Sequence, residues 1–350
     1  MQQDILVKNS RALLIGAGSI GKRHLSVMSK KFKSIVIVDT DQKVYKYLQA
    51  LPNFASIEFV NKLTDIKNPS EIDLAVISNW GPDHSNTFLE LVNSGVKNFI
   101  IEKPLADSFR ELDEMQTLID AKKLNVKTNL SMIYSGIPIM LREFENLYSI
   151  GEVQSIFVYG GAKCVATIGI HYVALANHLF NDRPLYVNAF LKSDDINPRD
   201  SALVYLEGNA SWVYPNNRHL TVNFINSSQI DIKCTLIYKH AEVLINGDTL
   251  TLSKIPNSSL MNLDKPTKTS RATEQLFSIE INLNDNLVNS LETLYDSVSK
   301  SEHSQKKDIG FAATYDLLSA LVASEMRQTL TLSGKEDFSS TNYKRKWGIS

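Results

Sequence analysis

The stretch Leu13-Leu14-Ile15-Gly16-Ala17-Gly18-Ser19-Ile20-Gly21-Lys22-Arg23-His24 constrains this chain more than any other. A short apolar run meets G-x-G-x-x-G and passes directly into a segment whose apolar residues Ile20, Val27 and Met28 have helical spacing. In such a turn Gly16 permits the sharp bend, Gly18 lets a phosphate approach the backbone, and Gly21 lets helix and strand pack closely. The free N–H groups at Ser19 and Ile20 and the positive end of the helix dipole then face an anion. Ser34 to Val38 reads as a second strand ending in Asp39, about 20 residues past the glycines, where a carboxylate accepts from a ribose 2′-OH. Together these features predict dinucleotide binding. NAD is expected over NADP, because Asp39 repels a 2′-phosphate and Thr40 adds no positive charge. Lys43 and Arg23 are the nearby cations that could offset that repulsion.

Behind this motif the pattern alternates strand and helix. Asp41 can cap a helix through Leu51, Ile57 to Val60 is a short strand, and Ile72 to Ser78 is apolar enough for the middle of a parallel sheet. Asp83 is placed to cap a helix ending at Gly95, Asn98 to Glu102 is a further strand, and Asp107 and Ser108 open a helix to about Lys123. Val126 to Leu130 closes the series. The fold class is therefore α/β: a doubly wound parallel sheet over residues 1–130.

From Gly151 the spacing becomes β-rich, with runs at Val153–Tyr159, Leu185–Leu191, Ala202–Glu207, Ser211–Tyr214, Leu220–Ile225, Ile230–Tyr238, Ala241–Ile245 and Thr249–Leu252. Asn246-Gly247-Asp248 marks a hairpin turn. Three apolar helices, Gly169–Phe180, Leu287–Val298 and Ile309–Met326, are expected on one face of this largely antiparallel sheet, with Pro256 to Thr273 as a loop. Residues 131–335 thus form a second, α+β domain with a large open sheet, and 336–350 a tail or a clasp for another subunit.

At 350 residues the chain is long enough for two cores, and 37 basic against 38 acidic residues leave a net charge of −1. No global field favours nucleic acid or an anionic membrane. Met1-Gln2-Gln3-Asp4 has no basic region followed by an apolar core, and no apolar run approaches the length of a membrane span, so a cytoplasmic location is expected. Cys164 and Cys234 are too few for a disulfide framework or a zinc site. His171 and His178 share a helix face without a carboxylate or cysteine at ligand spacing, so no metal is expected.

Ligands of an open α/β sheet bind beyond the carboxyl ends of its strands. There the sequence places Ser78-Asn79-Trp80-Gly81-Pro82-Asp83-His84 and Glu102-Lys103-Pro104, the latter setting a cation at the crevice. In the second half, Thr167-Ile168-Gly169-Ile170-His171-Tyr172 puts His171 in the first turn of a helix, whose dipole favours a neutral imidazole able to accept a proton. Tyr134 and Tyr172 are candidates to line a sugar pocket, and Thr167 is a further candidate to meet the substrate.

These pieces in this order resemble the glucose–fructose oxidoreductase / inositol dehydrogenase / MocA family of pyridine-nucleotide oxidoreductases. The likeness includes Gly16 to His24, the strand and loop ending at His84, Glu102-Lys103-Pro104, Gly151-Glu152-Val153, Gly169-Ile170-His171 and the helix carrying Ala312, Leu317 and Leu321. It implies a Rossmann domain, an open-sheet domain often used for oligomerisation, and hydride transfer to or from a sugar-like alcohol. Cofactor contacts would come from Gly16, Gly18, Ser19, Ile20, Gly21, Asp39, Asn79, Trp80, His84, Glu102 and Lys103, with Lys103 and His171 flanking the reacting hydroxyl. One departure stands out: many members carry Asp where this chain has Thr167 and Ala174.

The sequence therefore predicts an NAD(H)-dependent oxidoreductase acting on a sugar or polyol, including nucleotide-activated or amino sugars, as a homodimer or homotetramer. Two rivals remain open: a cofactor-binding sensor without turnover, suggested by Thr167 and Ala174, and a glycosidase using transient NAD-mediated oxidation.

Overall fold

The computed structural model describes residues 10–50, 56–194, 205–256, 272–281, 283–299, 308–332, 342 and 344–349. Six parallel strands form the first sheet: β1 (Arg11–Ile15), β2 (Ser34–Val38), β3 (Ile57–Val60), β4 (Leu74–Ile77), β5 (Asn98–Ile101) and β6 (Asn125–Thr128). Their order is β3-β2-β1-β4-β5-β6, and each neighbouring pair is parallel. The order reverses between β1 and β4, so the loops after Ile15 and Ile77 diverge and open a crevice. Leu13, Leu14, Ala75, Val76 and Ile77 are wholly buried, as strands covered by helices on both faces must be.

The second sheet has nine strands: β7 (Val153–Gly161), β8 (Tyr186–Asp194), β9 (Tyr205–Tyr214), β10 (Arg218–Ile225), β11 (Lys233–Tyr238), β12 (Ala241–Asn246), β13 (Thr249–Lys254), β14 (Glu274–Glu280) and β15 (Leu330–Thr331). They run in the order β14-β13-β12-β11-β7-β10-β9-β8-β15, antiparallel except where β7 meets β10. Helices Ile170–Phe180 and Ile309–Met326 pack on one face, burying Ile156, Val158, Leu220 and Val222. The other face carries Phe157, Tyr159 and Phe190, all well exposed.

Several local expectations change. The third helix, Leu283–Ser299, does not cover the second sheet: Leu291, Leu294, Tyr295 and Val298 pack with Ala12, Leu14, Val27 and Met28 of the first domain's core. Its apolar stripe specifies that one face is buried but not against which sheet. Asp83 makes no side-chain cap, because Gly81–Asp83 is itself a tight turn leading into the helix His84–Asn93. Ser108 caps the helix Phe109–Lys122 through Glu111 N–H, whereas the buried Asp107 carboxylate accepts from the N–H groups of Trp347, Gly348 and Ile349. Residues 345–349 therefore dock on their own chain, with Trp347 and Ile349 buried. Two helices, Ser131–Tyr134 and Ile137–Tyr148, and the edge strand β14 were not expected from the sequence. The expected loop falls for the most part, at 257–271, outside the described residues.

Candidate functional site

The glycine turn is built by exclusion. Gly16 has φ +81°, and a Cβ there would lie 2.6 Å from Asn79 Cα. At Gly21 a Cβ would meet the Gly16 carbonyl at 2.1 Å, the close helix–strand contact that the third glycine permits. Gly18 is different: a Cβ there would meet nothing within 4 Å, so its missing side chain opens a cradle instead of relieving a clash. The helix Ser19–Lys31 starts with no side-chain cap and no acidic residue in its first turn, leaving its N–H groups for an anion. Asp39 accepts from Ala17 N at 2.7 Å and from Asp41 N at 2.8 Å, so it also braces the turn. Each carboxylate oxygen can still accept a further bond.

A cavity of about 790 Å³ opens at this turn and runs to the helix Ile170–Phe180. It brings together Gly18, Ser19, Ile20, Asn79, His84, Glu102, Lys103, His171 and Tyr172 from the residues singled out in the sequence. Arg23, Ser78 and Ile168 from the same motifs line it too, and Asn129, Ser131 and Met132 join them without having been expected. Trp80 stands outside, 44% exposed at the turn that leads away from β4. Tyr134 is also outside: it packs against the first domain's core with its hydroxyl toward Ser297 and Asp308, where burial keeps it protonated. The expectation that Tyr134 lines a sugar pocket is thus corrected, because the short helix Ser131–Tyr134 turns it toward the helix Leu283–Ser299.

Lys103 reaches across the cavity and donates to the Thr167 carbonyl oxygen at 2.9 Å, so Thr167 contributes its backbone. That carbonyl belongs to a π-helical turn, Val165–Gly169, which runs straight into Ile170–Phe180. Gly169 already has helical angles (φ −57°, ψ −34°), so His171 does not sit at a free helix start. Its imidazole is nevertheless held neutral, with a pKa lowered to about 3 by burial and then by the positive charge of Lys103. His171 Nδ1 lies 3.5 Å from Ser131 Oγ, leaving Nε2 as the atom available to a ligand.

The floor of the cavity is polar and mostly satisfied. Glu102 Oε1 accepts from His24 Nε2 at 2.9 Å and from Asn129 Nδ2 at 2.6 Å. Burial pushes the Glu102 carboxyl up, but the His24 hydrogen bond and charge, Lys103 and Asn129 outweigh it and hold the pKa down at about 2. His84 Nδ1 lies 2.9 Å from the Pro104 carbonyl and Nε2 3.3 Å from that of Asn79. Burial lowers the His84 pKa, so the neutral ring has one proton, and the shorter contact claims it. Two buried acceptors lack any partner here, Asn79 Oδ1 and Asn129 Oδ1, although each amide's nitrogen is bonded. Open space at Gly18, an uncapped helix start and orphaned acceptors beyond it fit a molecule with phosphates at one end and hydroxyl or amide donors at the other.

Comparison with known proteins places this fold and cavity among Rossmann-type structures. Residues 10–130 match the model of the Gfo/Idh/MocA oxidoreductase family, with its NAD-binding Rossmann fold. Inositol 2-dehydrogenase of Klebsiella pneumoniae (strain 342) is 26% identical over 188 residues, 48% of this chain and 54% of that protein. The chain therefore spans about half the length of the curated relatives it matches. Among solved structures, myo-inositol 2-dehydrogenase from Lactobacillus plantarum superposes with a TM-score of 0.69 at 14% identity, covering 93% of this chain and 99% of that one. The super-repressor mutant of Gal80p from Saccharomyces cerevisiae does so with a TM-score of 0.71 at 13% identity, covering 93% and 98%. These likenesses establish a common fold across both sheets.

Proposed function

We propose that the protein is an NAD(H)-dependent oxidoreductase that moves hydride between nicotinamide and a sugar or polyol carbon. The observation that carries the reading is the convergence of Lys103 and His171 on one cavity that begins at the glycine turn. When bound, the nicotinamide ring supplies the acceptor or donor for hydride. In the oxidising direction the substrate hydroxyl gives its proton to His171 Nε2 while its carbon loses hydride, leaving a carbonyl and an imidazolium. The Lys103 ammonium, steadied by the Thr167 carbonyl, orients the hydroxyl oxygen and offsets the negative charge that develops on it. Burial and Lys103 make that imidazolium acidic, so in the reducing direction it returns its proton readily to the nascent alkoxide. A panel of sugars, polyols and sugar nucleotides followed by NADH absorbance tests the reading, and NAD-linked turnover of at least one is expected.

Asp39 supports NAD over NADP. Its carboxylate is fixed by two backbone N–H groups at the end of β2 and can take a ribose hydroxyl as a third partner, whereas a 2′-phosphate would face its charge. Lys22 is occupied over the Tyr47 ring, and Arg23 turns into the cavity. Calorimetric titration of both cofactors should show NAD(H) binding at least about tenfold more tightly; tighter NADP(H) would reverse the assignment.

We also propose self-association through the open face of the second sheet. Phe157 and Tyr159 on β7 and Phe190 on β8 lie on that face among Thr221, Asn209 and Asn223, a surface too apolar to suit water alone. Light scattering at micromolar concentration should report a dimer or tetramer, and Phe157→Asp should shift it toward monomer. A wild-type monomer would contradict the proposal.

A second reading is a sensor that binds cofactor without turnover. It draws on the Gal80p likeness and on Lys103 facing a backbone carbonyl at Thr167 where a carboxylate side chain is absent. The neutral His171 beside Lys103 favours the enzyme.

A further inference from the structure

We propose that His24 and Asn129 are positioning residues: they fix one oxygen of Glu102 so that its other oxygen is presented to a hydroxyl or amide donor of a ligand in the cavity. The inference rests on reading that cavity as the nicotinamide nucleotide site. His24 lies one turn beyond Gly21 on the helix Ser19–Lys31, is wholly buried and does not line the cavity. It therefore acts through Glu102 alone.

The direction of the hydrogen bonds to Glu102 is determined by chemistry. An ionised carboxylate only accepts, so His24 Nε2 carries the proton it gives to Glu102 Oε1 at 2.9 Å. His24 Nδ1 lies 3.1 Å from the Tyr295 hydroxyl, which burial keeps protonated and which can donate to or accept from that nitrogen. Asn129 Nδ2 donates to the same Oε1 at 2.6 Å. Both donors thus converge on one oxygen, while Oε2 receives no hydrogen bond from the described residues, and Glu102 lines the cavity. Asn129 Oδ1, also without a partner, adds a second acceptor on the same wall. Two separate elements meet at this carboxylate, the glycine-turn helix through His24 and the end of β6 through Asn129, and Tyr295 of the helix Leu283–Ser299 backs His24.

Removing the His24 donor leaves burial of Glu102 less opposed, so its pKa rises from about 2 and the carboxylate is lost as pH falls through the raised value. Charged and titratable groups around Glu102 are His24, Tyr295, Lys103, His84 and His171. Burial keeps Tyr295 protonated and, with Lys103, holds the His171 pKa at about 3, so neither supplies an acid limb between pH 5 and 8, and burial also lowers the His84 pKa.

Isothermal titration of NAD⁺ from pH 5 to pH 8 tests the proposal on the full chain. His24→Leu should weaken binding about tenfold or more at pH 5, with a smaller loss at pH 8. His24→Gln should restore wild-type affinity to within about threefold, because its amide can donate to Glu102 and accept from Tyr295. In a Glu102→Gln background, His24→Leu should cost no further affinity. Tyr295→Phe, which removes only one hydroxyl, should reproduce the acid-side loss on a smaller scale and serves if His24→Leu does not fold. Equal losses at every pH and in both backgrounds, or no loss in any variant, would overturn the positioning role while leaving NAD binding intact. Failure of the wild type to bind NAD⁺ at any pH would overturn the nucleotide-site reading and this inference with it.

Discussion

Lys103→Ala and His171→Ala are each expected to lower kcat by about 10²-fold or more while cofactor affinity stays within about threefold. The asymmetry follows from the division of the cavity. On the proposed reading, phosphates meet the turn from Gly16 to Gly21, which neither side chain builds, whereas the proton passes from the substrate hydroxyl to His171 beside Lys103. Lys103→Arg should not rescue, since a planar fork cannot occupy the place of a compact ammonium that donates to the Thr167 carbonyl at 2.9 Å. A further signature concerns pH. With its pKa lowered to about 3, His171 is neutral from pH 5 to 8, so kcat should show no imidazole limb across that range. The same depression costs stability on acidification: the unfolded chain protonates this histidine near pH 6.5 and the folded chain does not. Stability from this group is present above that value and falls away toward pH 3, and His171→Gln should flatten that part of the melting-temperature profile. Full activity in either alanine variant, on a substrate the wild type turns over, would remove that residue from the chemistry.

Gly21→Ala and Gly18→Ala should separate folding from binding. A methyl at Gly21 would sit 2.1 Å from the Gly16 carbonyl, a backbone atom that cannot rotate away. Helix and strand would have to part, at a cost of about 3 kcal/mol, and the melting temperature should fall by several degrees. Gly18 has φ −65° and open space at its Cβ position, so alanine fits the protein and stability should change by no more than about 0.5 kcal/mol. NAD⁺ affinity should nonetheless drop about tenfold or more, because that methyl fills the cradle where the pyrophosphate meets the backbone. Loss of stability at Gly18 with unchanged binding would show that the cradle has another purpose. Thermal melts and calorimetry on the same two preparations decide it.

What could be read in advance followed the local character of each signal. The glycine turn, the alternation of strand and helix behind it and the hairpin at Asn246-Gly247-Asp248 depend on neighbours in sequence, and their residues state them directly. Glu102, Lys103 and His84 were legible because strand ends of an open sheet must face the crevice. Tyr134 misled because a short helix, Ser131–Tyr134, rotates it away from the junction its position suggests. His171 illustrates a correct outcome with a different cause: the π-helical turn removes the free helix end, and burial with Lys103 does what the dipole was expected to do. His24 and Asn129 gave no signal of their own. Their role emerges only where helix, strand end and a distant tyrosine converge on one carboxylate. The destination of the helix Leu283–Ser299 was hidden for the same reason, since an apolar stripe names no partner.

The central claim, that this cavity performs hydride transfer, is tested most directly by a single turnover. Protein saturated with NAD⁺ is mixed with each member of a polyol and sugar panel, and the near-ultraviolet absorbance of reduced nicotinamide is followed on the bound cofactor. The account predicts stoichiometric reduction with at least one member in the wild type and reduction slowed about 10²-fold in Lys103→Ala. Binding of both NAD⁺ and a sugar with no reduction of the cofactor would contradict it and establish the sensor in its place.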